Sequence, residues 1–294
     1  MTNYFKYLTQ SQEDKNWGLF ITVAGYAKVM PKAIYPPSGH PSGYNFNWEK
    51  GRVLQEYQIN YITEGEGIIE TQKGEYPVKE GSVIFIQPNL WHRYKPLKEK
   101  GWMEHYIGFN GDYANTMLQN FEFLQDCPVI QIGFHDKIIQ EFHHIFNHVK
   151  SEKPGYQQIC AGLVGYILGQ IISLKKNENF KSGKIENAIQ KACLHLRDNI
   201  NKNMNIEEIA MNMNVNYSHF RKAFKKYTGL SPIQYHLTLR IQQAIYLLTN
   251  TELSIKEIAF NLGFGSVFYF SKLFKEKMQV TPSEYRNASV GKRG

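Results

Sequence analysis

The chain has 294 residues, of which 42% are hydrophobic, 14% aromatic and 20% charged. That composition excludes an intrinsically disordered chain, and at roughly 100–200 residues per domain the length predicts two domains. The formal net charge is +8, but residues 1–180 hold 17 Lys and Arg against 18 Asp and Glu, while residues 181–294 hold 17 against 8, a net of +9. A basic third joined to a neutral remainder suggests a polyanion-binding module, with a plain solvated basic surface as the alternative. Cys127, Cys160 and Cys193 lie far apart and form no CxxC or Cys/His spacing, which argues against a disulfide framework or a zinc module. The first residues contain no apolar signal core. The longest apolar run, Ile159–Leu174, is interrupted by Gln170 and three glycines and is short for a membrane span. A soluble protein of a reducing cytoplasm is expected, with no membrane partner.

In chain order, residues 17–109 predict β structure: FITVAGY, VLQEYQINYIT, GIIETQ, EYPV, GSVIFI and WMEHYIGF are short Val-, Ile- and aromatic-rich runs between Gly, Pro and Asn breaks. Turns at Gly65, Gly74 and Gly81 give the spacing of a sandwich or barrel. After Gly111 the period becomes helical, in three pieces near Asp112–Leu124, His135–Val149 and Pro154–Lys176. In the last of these Ile159, Leu163, Tyr166, Ile167, Ile171 and Leu174 fall near helical spacing. They suit either a dimer contact or a core helix on the barrel. The polar stretch NENFKSGK (177–184) reads as a linker, and residues 185–286 read as wholly helical.

The basic third repeats itself. NIEEIAMNMNV (205–215) matches SIKEIAFNLGF (254–264) at an offset of 49, and FRKAFKKYTGLSPIQY (220–235) matches FSKLFKEKMQVTPSEY (270–285) at an offset of 50. Each copy predicts a short helix, a turn and a second helix. Asn205 and Ser254 stand at N-cap positions with a glutamate three residues on, and Asn216 and Ser266 cap the second helices. Phe220, Ala223, Phe224 and Tyr227 share one helical face, as do Phe270, Leu273 and Phe274; the opposite faces carry Ser218, Arg221, Lys222 and Lys225, and Phe268, Ser271, Lys272 and Lys275. An apolar face docks each helix while an outward row of cations and small polar groups suits a major groove, so the pattern is a double helix-turn-helix. Ser231 and Pro232 open a connecting helix reaching about Thr249, a strut of roughly 27 Å at 1.5 Å per residue. Successive major grooves lie about 34 Å apart on one face of DNA.

These two runs, together with Arg240, Ala244, Leu247 and Leu248 between them, resemble the DNA-binding domain of the AraC/XylS family of transcription regulators. The resemblance implies a seven-helix domain with two reading helices. Carried over position by position, it implies base-proximal Ser218, Arg221 and Lys222 in the first copy and Phe268, Tyr269 and Lys272 in the second, with Lys225 and Lys275 beside them. Phe268 replaces a small polar residue or Gln; it suits either a thymine methyl or weaker base reading. Lys222 and Lys272 lack the bidentate fork of arginine, which favours phosphate contact over base discrimination.

The β region resembles the family's cupin-like sensor domain through Tyr35-Pro36-Pro37, His40-Pro41, Gly51 to Tyr57, Gly65-Glu66-Gly67, Gly81-Ser82-Val83, Trp91 to Tyr94 and Gly101 to Phe109. The implied fold is a cupin-like β-barrel (1–111), a helical dimerisation region (112–176), the linker (177–184) and an all-α double helix-turn-helix domain (185–290). The resemblance suggests a barrel that binds a small sugar through Arg52, Tyr94, Glu104 and Tyr106, with His40 and His92 as further candidates. Arg52 has a structural ion pair with Glu56 as its alternative. The implied partners are double-stranded DNA, a small-molecule inducer, a second copy of the chain and RNA polymerase; the implied role is activation of carbohydrate-utilisation genes. No cofactor and no metal is expected: His40, His92 and His105 are scattered, and no nucleophile motif or phosphate loop occurs. Two other readings stay open, a cupin metalloenzyme with an accessory nucleic-acid module and a ligand-independent DNA-binding protein with a structural barrel.

Overall fold

The computed structural model describes residues 3–35, 48–119, 127–180 and 183–290. His40 lies outside the described residues, as does the end of the helix expected to reach Leu124. Two compact units divide at Asn177/Glu178.

The first unit contains β1 (Tyr4–Tyr7), α1 (Gln12–Asn16), β2 (Phe20–Val29), β3 (Arg52–Val53), β4 (Tyr57–Thr71), β5 (Gly74–Lys79), β6 (Ser82–Ile86), β7 (Trp91–Pro96) and β8 (Trp102–Asn110). There follow α2 (Asp112–Gln119), β9 (Val129–Gln131), α3 (Asp136–Ser151) and α4 (Tyr156–Asn177). The described strands pair antiparallel in the order β1-β2-β8-β4-β6-β9, with β3, β5 and β7 joined off that path. β9 falls between the first two expected helical pieces and adds a strand to the region 112–176: the chain returns to the sheet and pairs with β6 before α3 begins.

β4 is the strand shared by the two halves of the sheet. Its first half pairs with β6 and β8, and its second half, from Glu66, pairs with β5 and β7. Gly65, expected as a turn between two strands, is instead a corner inside this 15-residue strand. The register slips between Ile62 and Glu64, and Gly65 takes φ +84° where a Cβ would sit 2.1 Å from the Gly101 carbonyl oxygen. A bulge and a glycine together bend a strand from one sheet into the next without breaking it.

Side chains then alternate across the sheet. Ile59, Tyr61, Val83, Phe85, Ile107 and Phe109 face the helices and pack with Phe142, Ile145, Phe146, Val164, Ile167 and Leu168. Ile62, Ile69, Ile84, Ile86, Tyr94 and Trp102 form a separate core inside the barrel. α4 is long and apolar enough to cross a membrane by length and composition. Here its inner face is a core face: Cys160, Val164, Ile167, Leu168 and Ile171 are buried, and the Gln157 amide pairs with both backbone groups of Ile21 where β2 bulges. The six residues expected to form one face of α4 are split. Ile167 and Ile171 point inward, Leu163 and Leu174 are half-buried against the core, and Ile159 and Tyr166 are exposed.

The second unit contains seven described α-helices: α5 (Lys184–Asp198), α6 (Ile206–Asn212), α7 (Tyr217–Thr228), α8 (Pro232–Asn250), α9 (Ile255–Asn261), α10 (Val267–Met278) and α11 (Pro282–Val290). Residues 177–184 are not a plain linker. Asn177 ends α4, residues 178–180 make a 3₁₀ turn, and Phe180 is buried in the first helical core with its ring edge-on to Tyr227 at 5.1 Å. An aromatic among polar neighbours has no period to betray it, but burial of its face is worth about 2 kcal/mol.

Candidate ligand pocket and nucleic-acid interface

Two-residue periodicity aims a set of polar side chains into the barrel. β3 places Arg52 directly opposite His92 of β7, and the Arg52 guanidinium donates from Nη2 to Tyr94 Oη at 2.7 Å and to Gln58 Oε1 at 3.5 Å. Its Nε donates to His92 Nε2 at 3.3 Å, while His92 Nδ1 lies 3.0 Å from the Leu90 carbonyl oxygen. Both contacts are satisfied by one neutral tautomer, which carries its proton on Nδ1 and accepts at Nε2. Burial and then the Arg52 charge push His92 down to about 4, so it stays neutral near pH 7. Its ring stacks on Tyr94, 6° from parallel. His92 therefore positions Arg52 and has both ring nitrogens engaged.

Glu104 and Tyr106 share the inward face of β8 with Trp102. Gly25 stands opposite Tyr106, and a Cβ there would lie 2.7 Å from the tyrosine hydroxyl, so the ring occupies space that a side chain would fill. Burial pushes Glu104 up to about 7, and the Arg52 charge opposes that rise. Glu104 Oε2 and Trp102 Nε1 are buried without a hydrogen-bond partner. Each such group costs about 1–3 kcal/mol, more when charged. Burial likewise raises the Tyr35, Tyr94 and Tyr106 hydroxyls above the ordinary tyrosine range, with Glu104 adding to the rise in each.

The structure thus brings Arg52, Tyr94, Glu104, Tyr106 and His92 together. The neighbours absent from the sequence-derived set include Tyr35, whose ring meets Trp102 edge-on at 6.1 Å, Asn60, buried opposite Tyr106, and on the same inward faces Gln58 and Trp102. Inward parity with Ile62 and Glu104 was the signal that would have found the last two. His105 faces the other way, against Phe142, His143 and Phe146 of α3, and its burial pushes it down to about 4. Among the described residues no group of three or more His, Cys, Asp or Glu is placed to hold a metal ion.

In the helical unit the two motifs have separate cores. Phe220 and Phe224 fill one and Phe270 and Phe274 the other, all four fully buried. α7 starts at Asn216, whose side chain accepts from the His219 N–H, and α10 starts at Ser266, which accepts from the Tyr269 N–H. On α7 Ser218, Arg221, Lys222 and Lys225 are exposed, with the Arg221 guanidinium 5.5 Å from the Tyr217 ring centroid. On α10 Phe268 is 79% exposed and Tyr269 48%, with Lys272 and Lys275 exposed on the following turns and Ser271 half-buried. The helix entries differ: Ser254 and Glu257 form a reciprocal capping box, whereas Asn205 caps α6 by accepting from the Glu207 and Glu208 N–H groups.

Arg240 of α8 is the residue whose role sequence reasoning missed. It is 5% exposed, donates from Nε to the Ile200 carbonyl and from Nη2 to the Lys202 carbonyl, and reaches the Gly263 carbonyl at 3.4 Å. It also lies over the Phe264 ring. One side chain on the strut therefore ties the loop after α5 to the turn of the second motif.

Two family models cover these two architectures. The AraC-like ligand binding domain matches residues 31–166, and a helix-turn-helix domain matches residues 209–288. The chain belongs to the AraC family of transcription regulators. Among curated relatives, the MmsAB operon regulatory protein of Pseudomonas aeruginosa is 26% identical over 264 residues, covering 87% of this chain and 84% of that protein. The lactose operon transcription activator of Staphylococcus xylosus is 25% identical, covering 83% and 87%. The arabinose operon regulatory protein of Escherichia coli is 24% identical, covering 83% and 85%. This AraC-family chain is a ligand-responsive DNA-binding regulator and not an enzyme, with double-stranded DNA as its partner.

Proposed function

We propose that this regulator activates carbohydrate-utilisation genes when a small sugar binds in its barrel, and that it works as a cytoplasmic homodimer beside RNA polymerase. The observation that carries the sensing role is the convergence of Arg52 and Glu104 with Tyr35, Tyr94, Tyr106 and Trp102 inside the barrel. Sugars need aromatic faces for their C–H surfaces and hydrogen-bonding groups for their hydroxyls, and this interior offers both. The names of the lactose and arabinose operon relatives support the same ligand class. A barrel with a purely structural role gains nothing from an unpartnered buried carboxylate oxygen.

In this reading residues 1–111 sense, residues 112–176 pair two copies, and residues 185–290 bind DNA. The exposed Ile159 and Tyr166, with Gly162, Gly165 and Gly169 open to space, supply the pairing face of α4. Ser218, Arg221, Lys222 and Lys225 enter one major groove, and Phe268, Tyr269, Lys272 and Lys275 the next. The sugar shifts the regulator only by as much as it binds one arrangement better than another. Footprinting of the DNA upstream of its own gene with the full chain, with and without a sugar panel and across a salt series, tests this. Salt-dependent protection that changes with one sugar is expected. Protection unmoved by every sugar would leave a ligand-independent DNA-binding protein.

A further inference from the structure

We propose that the barrel selects an uncharged, hydroxyl-rich ligand that donates a hydrogen bond to Glu104, a free sugar as opposed to a sugar phosphate or sugar acid. This rests on the sensing role proposed above and narrows its ligand class.

Glu104 is 6% exposed and its Oε2 has no hydrogen-bond partner; Trp102, next but one on the same face of β8, is 2% exposed and its indole N–H has none either. One buried acceptor and one buried donor thus stand on one strand face. A hydroxyl is both donor and acceptor, so a polyol satisfies the two together. A phosphate or carboxylate offers only acceptors and would set a second anion beside the Glu104 oxygen. An ammonium group would satisfy Glu104 but leave the indole N–H unpaired and face the Arg52 charge.

The charges around Glu104 agree. Arg52 of β3 is its cationic neighbour, and that guanidinium is already held by Tyr94, His92 and Gln58. Around it stand Tyr35 after β2, Tyr94 and the neutral His92 on β7, and Tyr106 on β8 itself; Gln58 and Asn60 of β4 bring only amides. The cations Arg93 and Lys95, neighbours of His92 and Tyr94 on β7, have the opposite parity: both lie over the Trp48 ring, and Arg93 also pairs with Glu70. Among the described residues a second carboxyl group, Glu56, is buried at Gly108 on the same face of β8, and β7 turns no second cation inward to receive an anionic ligand.

This arrangement has a proton signature. Burial holds Glu104 up to about 7. A hydroxyl donating to Oε2 favours the ionised carboxylate, so binding releases a proton and affinity rises with pH. An acceptor-only anion needs the protonated acid, and its affinity falls with pH. The sign of the pH dependence therefore tells a hydroxyl from an anionic group set against Glu104.

The test is calorimetric binding by the full chain at pH 6, 7 and 8. L-arabinose, D-galactose and lactose serve as uncharged probes, and galactose 6-phosphate and galacturonate as charged ones. The expected result is binding of an uncharged probe about ten-fold tighter at pH 8 than at pH 6, with the slope abolished in Glu104→Gln, which keeps an acceptor but does not titrate. The wild-type slope stands even if the variant folds poorly. Preferred binding of a charged probe, affinity that falls with rising pH, or the same slope in Glu104→Gln would overturn the proposal while leaving the sensor role intact. Failure of all five probes to bind would count against the sensor role itself.

Discussion

The two helix-turn-helix copies share a scaffold and differ in what they turn outward. Both pair a 7-residue helix with a 12-residue one, both begin the second helix on a side-chain cap, and both bury two phenylalanines one turn apart. The outer faces have diverged. α7 presents Arg221, Lys222, Lys225 and Lys226, all exposed cations; α10 presents Phe268 and Tyr269 in its first turn and sets Glu276 among its lysines. Duplication preserves what packing demands, because a core tolerates few changes of volume. It leaves the solvent face free to specialise. The first copy offers exposed cations along its second helix, and the second sets a large exposed apolar group at the start of its own.

The comparison breaks most strongly at the strut. Arg240→Ala removes charge-assisted hydrogen bonds to the Ile200 and Lys202 carbonyls and leaves both unpaired, so a loss of about 3 kcal/mol or more is expected. Hydrogen exchange of α8 and α9 amides measures it; a loss below about 1 kcal/mol would mean that packing alone holds the motifs together. Next comes the electrostatic difference. Lys222→Ala is expected to weaken DNA binding on all sequences and to reduce the salt slope by about one contact. Phe268→Ser is expected to leave that slope unchanged. It should cost about three- to five-fold on a selected site, with the loss matched when thymine is replaced by uracil in the wild-type complex. Equal slopes in the two variants would erase the division of labour.

Smaller effects test the shared scaffold. Both reading helices end in the left-handed region, α7 on Gly229 and α10 on Gln279 at φ 64°. A side chain pays there what glycine does not, so Gln279→Gly is expected to stabilise the second motif by about 1 kcal/mol in thermal melts. The smallest concerns acid. Hydrogen bonds from the Ser254 side chain and then its backbone hold the Glu257 carboxyl below its usual range. A carboxyl depressed in the folded state contributes stability above its unfolded pKa and loses it as pH falls through the folded one. The start of α9 should therefore fray in acid, and Ser254→Ala, which keeps the backbone N–H but loses the hydroxyl, should weaken that pH dependence in amide exchange.

The repeat, its caps and the buried phenylalanines were legible because helical period and capping chemistry are local. Asn216, Ser266 and Ser231 bond within their own first turns, so a few letters suffice. Arg240 was visible only as part of a family pattern: its carbonyl partners stand between 23 and 40 positions away. The barrel divides in the same way. Arg52 was singled out, yet the contacts that hold it, to His92 and Tyr94, come from a strand 40 residues on. Tyr35 has no periodic neighbours to mark it as an interior group. Gly65 read as a turn because a glycine corner and a glycine turn look alike until the partner strands are known.

By itself the sequence determined the class of the molecule. A neutral β-rich portion precedes a basic, duplicated helical one, because charge, period and repetition survive without coordinates. Only the tertiary structure decided which polar groups meet. β4 turns its corner at Gly65 and carries one strand through both halves of the barrel, so Gln58 on its first half and the β7 strand paired to its second converge on Arg52. The neutrality of His92 and the raised carboxyl of Glu104 follow from that burial. Desolvation is a property of the surrounding atoms, and no residue carries it in its own letter.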